Sequence, residues 1–341
     1  MNMKFYRKLP IPMEVKEMLP ITDELAEVRR ARVDEIKAVL DGRDPRLLCI
    51  IGPCSADRED AVMEYLYKLK RITEVVKEKL LIVPRIYTGK PRTTGEGYLG
   101  MLHQPDPTKE PDLLAGIVAI RKIHIRALSE LGFGCADEML YPENHRYVSD
   151  LLAYTTVGAR SVENQQHRLT ASGLDIPVGM KNPTGGDISV MLNAVKAAQA
   201  PHVFCYRGWE VGSEGNSYAH AILRGYSDGG GMHKNCDTDS LSRLAESYRE
   251  YGLENPAVIV DANHANSGKM CLMQPDIVKE VIASRTSHPD ISSILRGFMI
   301  ESYIEDGAQD SEGTVFGRSI TDPCLGIVKT EKLLCELADI L

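Results

Sequence analysis

The sequence predicts a (β/α)8 barrel, a closed parallel cylinder of strands wrapped by helices. From Arg46 onward, short apolar runs alternate with helical patterns, the rhythm of an α/β fold. Eight such runs can be marked, and each delivers a polar reactive residue at its end or into the loop that it feeds. A doubly wound open sheet is the competing architecture, but Gly52-Pro53-Cys54-Ser55 after the first run is not the Gly-rich phosphate fingerprint that such sheets carry.

Residues 1–45 read as an N-terminal extension and 46–341 as the barrel. Leu9-Pro10-Ile11-Pro12 and Leu19-Pro20 interrupt the extension. Asp23 to Leu40 then forms an amphipathic helix, capped at Thr22 or Asp23, with Leu25, Val28, Val33, Ile36, Val39 and Leu40 on roughly one face. That face suits packing on the barrel or on another subunit. The first strand is Leu47–Ile51, followed by a helix from Glu59 to about Lys79. The second is Leu80–Ile86, followed by a long proline-bearing loop and a helix over Leu113–Leu131. Gly134–Glu138 is the third strand, with a helix over Asn144–Ala153. Thr155–Gly158 and Ile176–Met180 are the fourth and fifth, and Ile188–Ala200 is helical. His202–Tyr206 is expected as the sixth, with a glycine-rich insert after it reaching about Asn235. Inside that insert Ala219–Leu223 offers an extra strand. Ser240–Tyr251 is helical, Ala257–Val260 is strand seven, Asp276–Ser284 is helical, and Ile294–Ile300 is strand eight. A closing helix runs from Thr330.

The chain has 341 residues and a net charge of −8, with 43% hydrophobic and 26% charged residues. An acidic surface argues against nucleic acid and anionic membranes as partners. No apolar run is long enough for a membrane span, and Met1 to Pro10 lack the apolar segment of a secretory signal, so a cytoplasmic location is expected. Eight cysteines without a C-x-x-C pair read as reduced thiols.

The strand-end residues fall into two kinds. Arg85, Lys90, Arg92, Arg160, Lys181 and Arg224 are cations, and in an acidic chain their convergence requires anions between them. Alone, Lys90-Pro91-Arg92-Thr93-Thr94 reads equally as a solvated turn; with the other strand ends it reads as a site for phosphorylated substrates. Cys54, His264, Glu301 and Asp322 form the second kind. Each alone fits a core or satisfied polar role, whereas the set on one face suits a divalent transition metal with a position left open. Glu138 and Asp261 stand at the ends of strands three and seven. His220 and His233 are expected to be solvated or locally bonded, and His124 to be exposed on its helix. Gly185-Gly186 offers either a backbone anion contact or a turn.

Seven stretches, in this order, resemble the 3-deoxy-D-arabino-heptulosonate 7-phosphate (DAHP) synthase family, type I. They are Ile51–Ser55, Lys90–Thr94, Val157–Arg160, Pro177–Asn182, Ile222–Gly225, Asp261–Ser267 and Gly317–Asp322. The resemblance implies a (β/α)8 barrel that condenses phosphoenolpyruvate with erythrose 4-phosphate, the first step of aromatic amino acid biosynthesis. By position it implies Cys54, His264, Glu301 and Asp322 as ligands of a divalent metal (Mn, Fe, Co or Zn). It implies Arg85, Lys90, Arg160, Lys181 and Arg224 around phosphoenolpyruvate, Arg92 and Thr93 toward erythrose 4-phosphate, and Glu138 near the reacting carbon. Lys90, Cys54, His264 and Glu138 are the expected catalytic residues, with His264 also near substrate. It further implies a homodimer or homotetramer and an aromatic amino acid effector. Gly95–Gly100 departs from the family pattern, with Leu99 where a Lys can stand. Another aldose phosphate, or a catalytically silent barrel, are the alternatives.

Overall fold

A computed structural model describes residues 2–92 and 94–341. The N-terminal extension carries α1 (Pro12–Met18) and α2 (Asp23–Leu40). Thr22 Oγ1 caps α2 by accepting from the Leu25 N–H. Helix α2 lies against the N-terminal ends of the strands that follow. Arg32 Nε donates to the Gly132 carbonyl, and Arg296 donates back to the Leu40 carbonyl at the end of the helix. Val33, Ile36, Val39 and Leu40 are buried there and join the main core.

The chain then alternates as expected. β1 (Leu47–Gly52) leads to α3 (Glu59–Val76), β2 (Leu80–Pro84) to α4 (Leu113–Leu131), and β3 (Ala136–Glu138) to the short α5 (Pro142–His145). β4 (Tyr154–Val157), α6 (Gln165–Ser172), β5 (Val178–Lys181) and α7 (Ile188–Gln199) follow. β1, β2, β4 and β5 are buried along their whole length, as strands covered on both faces must be.

The sixth strand differs from expectation. β6 (His202–Tyr206) is no barrel strand; it folds back antiparallel on β7 (Trp209–Ser213) as a separate two-stranded hairpin. β8 (Ala219–Leu223) takes the place in the cylinder, fully buried between β5 and β11 (Val258–Asp261). His202–Tyr206 has strand composition but sits half out in solvent. Ala219–Leu223 lacks the Phe and Tyr that His202–Tyr206 carries, yet its small alanines fit a crowded wall. A second hairpin, β9 (Tyr226–Asp228) with β10 (Gly231–His233), follows β8, so the insertions flank the sixth barrel strand. The expected helix over Asn144–Ala153 is reduced to α5 and turns, and α1 and α6 lie where no helix was expected.

α8 (Thr238–Tyr251), α9 (Gln274–Ser287), α10 (Pro289–Ile294), β12 (Leu295–Tyr303), the short β13 (Leu325–Gly326) and α11 (Ile327–Ile340) complete the chain. The cylinder runs β2-β1-β12-β11-β8-β5-β4-β3, all parallel. The ring closes between β2 and β3 through an isolated bridge, Arg85 to Ala136, and the Ile86 N–H donates to the Ala136 carbonyl at 2.8 Å.

Candidate active site

A cavity of about 160 Å³ opens at the C-terminal ends of the strands. The closed parallel ring points every strand end at this one mouth, which brings residues far apart in sequence together. Cys54 stands two residues past β1 and is buried. Lys90 Nζ lies 2.8 Å from its Sγ and 2.9 Å from Asp322 Oδ2, while Sγ is 3.4 Å from the same Asp322 oxygen. Glu301, inside β12, receives Arg85 Nη2 at 3.1 Å and the amide of Asn263. Its backbone N–H donates to Gln274 Oε1, which fixes the strand at that point.

His264 has a left-handed backbone, φ 51°, unusual for a residue with a side chain. Its Nδ1 stands 2.9 Å from Asp261 Oδ2 without hydrogen-bond alignment, and its Nε2 is 3.8 Å from Glu301 Oε1. Lys181 Nζ donates to the same Asp261 oxygen at 3.0 Å.

The cations are held so as to leave capacity facing the cavity. Arg85 is buried, gives Nη2 to the Cys54 carbonyl and Glu301, and keeps Nε and Nη1 without partners among the described residues. Its guanidinium lies 3.8 Å from the centre of the Tyr87 ring. Arg92 Nε donates to the Tyr98 carbonyl, and Arg160 Nη1 to the Pro91 carbonyl. Among the described residues, Arg92, Arg160 and Arg224 pair with no carboxylate, yet all three line the cavity. Glu138, the last residue of β3, lines it too, packed so closely on Gly158 that a Cβ there would overlap its Oε1. Thr93 lies outside the described residues.

Electrostatics follow burial and charge. Burial, with Glu301 nearby, pushes the Cys54 thiol up to about 11. Burial also works against the Lys90 ammonium, but Cys54 and then Asp322 outweigh it and hold Nζ above its ordinary range. With the thiol itself pushed up, Asp322 is the partner that carries the charge. Its carboxyl is held well below the usual range: burial opposes this, and Lys90 and Lys269 overcome it. Asp261 is likewise held low against burial by His264 and Lys181. Burial lowers Arg224, and Asp261, Glu301 and Asp322 offset it only in part.

The donor set fits a divalent cation. Ligand atoms of Cys54, Glu301 and Asp322 lie within 4.8 Å of one another, and thiolate, carboxylate and imidazole together suit a transition metal. Lys90 Nζ, wedged against two of these ligands, shows that the pocket draws positive charge. His264 is next to this trio, turned toward Asp261.

The sequence model described as the DAHP synthetase I family matches residues 20–334. The chain belongs to that family. It is 36% identical to the phospho-2-dehydro-3-deoxyheptonate aldolase of Corynebacterium glutamicum, over 98% of this chain and 92% of the relative. It is 34% identical to the Tyr-sensitive enzyme of that name from Escherichia coli, over 96% and 92%. The solved structure of the Francisella tularensis SCHU S4 enzyme of that name superposes with a TM-score of 0.91 at 30% identity, covering 99% of this chain and 98% of that one. The family is that of the metal-dependent DAHP synthases, as the sequence resemblance implied.

Every described strand-end residue singled out in the sequence reaches the cavity except Asp261, which instead holds Lys181 and His264 from behind. Sequence reasoning missed Lys269, whose Nζ is 3.2 Å from Asp322 Oδ1, and Tyr87 beneath Arg85. Lys269 falls just beyond the Asp261–Ser267 stretch, and its place is set by a left-handed turn at φ 62° that the sequence does not announce. His124 is buried, not exposed, because α4 is wrapped on most sides. His220 is buried in the barrel wall and is locally bonded rather than solvated, with Nδ1 2.8 Å from the Tyr218 carbonyl and Nε2 2.7 Å from the Tyr154 hydroxyl.

Proposed function

We propose that the chain condenses phosphoenolpyruvate with erythrose 4-phosphate and water to give DAHP and phosphate, with the roles below assigned to its own residues. The observation that carries the assignment is the set of cations without acidic partners facing one cavity beside a thiol–carboxylate cluster. Arg85, Arg160, Lys181 and Arg224 hold phosphoenolpyruvate through its phosphate and carboxylate, Arg by fork contacts and Lys as a point charge. Arg92 and Thr93 take the phosphate of the aldose. Binding two anions in one cationic cavity removes their mutual repulsion and aligns them for reaction.

Cys54, His264, Glu301 and Asp322 would hold a divalent metal, which as a Lewis acid would polarise the aldehyde. Carbon 3 of phosphoenolpyruvate forms the new bond to the aldehyde carbon. Lys90, protonated and 2.9 Å from Asp322, gives its Nζ proton to the developing alkoxide. Water adds at carbon 2, oriented by Glu138, which takes its proton; phosphate then departs with C–O cleavage as the carbon 2 hydroxyl loses its proton and becomes the ketone. Incubating metal-loaded protein with phosphoenolpyruvate and a panel of aldose phosphates tests the substrate. Phosphate release with erythrose 4-phosphate is expected; release only with another aldose would move the specificity, and none at all would leave a silent barrel.

The Escherichia coli relatives are named Tyr-sensitive and Phe-sensitive, and one from Enterobacter agglomerans Trp-sensitive. An aromatic amino acid effector is proposed for this chain on that ground, checked by adding each of the three to the assay. We also propose a homodimer or homotetramer, with the extension 1–45 as a contact arm on the barrel domain 46–341. Phe5 and Tyr6 are each 85% exposed, and Trp209 on the β6–β7 hairpin is 74% exposed, which is apolar surface that a second copy would cover. Solution mass measures it. A cytoplasmic location belongs to the same reading, supported by eight free cysteines.

A further inference from the structure

We infer that Asp137 is a positioning residue for the condensation, holding Lys90 and Glu138 at their working separation through Thr88. The inference rests on the roles proposed above for those two residues. Strand β2 exits toward Lys90 and β3 ends at Glu138, so their relative placement depends on how β2 is tied to β3. Elsewhere the ring is tied by ladders: β1 and β12 register over Leu48 to Gly52. Between β2 and β3 there is an isolated bridge at Arg85 and Ala136. Beyond it, where a ladder would continue, Asp137 takes over with its side chain. Its Oδ1 accepts the Thr88 N–H at 2.9 Å and the Glu138 N–H at 2.7 Å, and its Oδ2 accepts the Thr88 hydroxyl at 2.5 Å. One carboxylate thus grips the residue two before Lys90 and the backbone of Glu138 together.

The surroundings give this grip a purpose beyond folding. A small cavity lies behind Glu138, lined by Thr88, Asp137, Asn144 and His145 among others, and Gly89 and Glu138 face both it and the active-site cavity. Glu138 is therefore pressed on Gly158 in front with space behind. The clamp on its backbone N–H fixes the position from which this side chain meets Gly158. His124 backs the carboxylate, its Nε2 3.9 Å from Asp137 Oδ2; both are buried, and neither ring nitrogen has a hydrogen-bond partner among the described residues. Directional hydrogen bonds to a backed carboxylate are short and orienting.

Thr88→Val removes the hydroxyl bond and keeps the backbone one, and Thr88→Ser restores the hydroxyl. For Thr88→Val we expect kcat to fall about tenfold or more, KM for phosphoenolpyruvate to stay within about twofold, and bound metal per chain to be unchanged, since small misplacements cost large factors in rate. Thr88→Ser should return kcat to near the starting value. Asp137→Asn, which keeps one accepting oxygen, should fall with Thr88→Val. An unchanged kcat in Thr88→Val, or a loss that Thr88→Ser does not restore, overturns the inference, as does a change confined to melting temperature. Lys90→Met and Glu138→Gln, assayed alongside, separate the two layers: if they retain full activity the catalytic assignment fails, and if they lose it while Thr88→Val does not, only the positioning role fails.

Discussion

Cys54 shows how one side chain carries conflicting demands. Burial and Glu301 push its thiol up to about 11, while the metal ligation proposed for it needs the thiolate. Loading a divalent metal should therefore release protons, and affinity should rise with pH. Cys54→Ala is expected to lose bound metal, read by elemental analysis, and to lose activity that added Mn²⁺ or Fe²⁺ does not restore. Gly158→Ala addresses the neighbouring wall. A methyl there overlaps Glu138 Oε1, so kcat is expected to drop by an order of magnitude or more, with the metal content intact. The identity of these residues was legible in the sequence because strand ends in a barrel converge by topology. Lys269 was not, because its approach to Asp322 depends on a local left-handed turn rather than on a strand end.

Among the elements, the sixth strand is where composition and position part company. His202–Tyr206 and Ala219–Leu223 are both short and apolar enough to be strands, and both are strands. What separates them is which one the cylinder has room for, and that is decided by neighbours β5 and β11, distant in sequence. The long helices α2, α3, α4 and α7 were legible because their apolar spacing persists over several turns; short α1, α5 and α6 carry too few turns for a pattern. Because β6–β7 lies off the cylinder, replacing residues 203–212 with a two-glycine link should leave the far-ultraviolet dichroism and the melting transition nearly unchanged. On the oligomer proposed above, the same change should lower the solution mass. Asp237 caps α8 by accepting from the Ser240 N–H; Asp237→Ala is expected to cost about 1 kcal/mol in denaturant unfolding.

For the molecule as a whole, buried histidines set the acid limit. Burial lowers both His145 and His220 from 6.5 to about 4. Their folded values lie below the unfolded one, so their contribution is full above pH 6.5 and is lost as pH falls toward 4. Each amounts to roughly 3 kcal/mol. Asp57, which accepts from the Tyr303 hydroxyl, works the other way: burial raises it from 3.8 to about 6. Its contribution is full below pH 3.8 and lost as pH rises through 6, so it offsets about half of the histidine loss on acidification. Unfolding free energy measured by denaturant should thus decline by roughly 3 kcal/mol between pH 7 and 4. Replacing His220 with Gln should cancel most of that decline.

The isolated bridge that closes the cylinder has a kinetic meaning as well. A ring held by ladders everywhere else breathes first at its thinnest joint. The amides of Ile86 and Thr88 bond across that joint, to the Ala136 carbonyl and the Asp137 carboxylate. In deuterium exchange they should trade faster than the amides within β1 and β12. On the assignment proposed above, phosphoenolpyruvate held by Arg85 on one lip should slow them, so that substrate would serve as the final hoop of its own barrel.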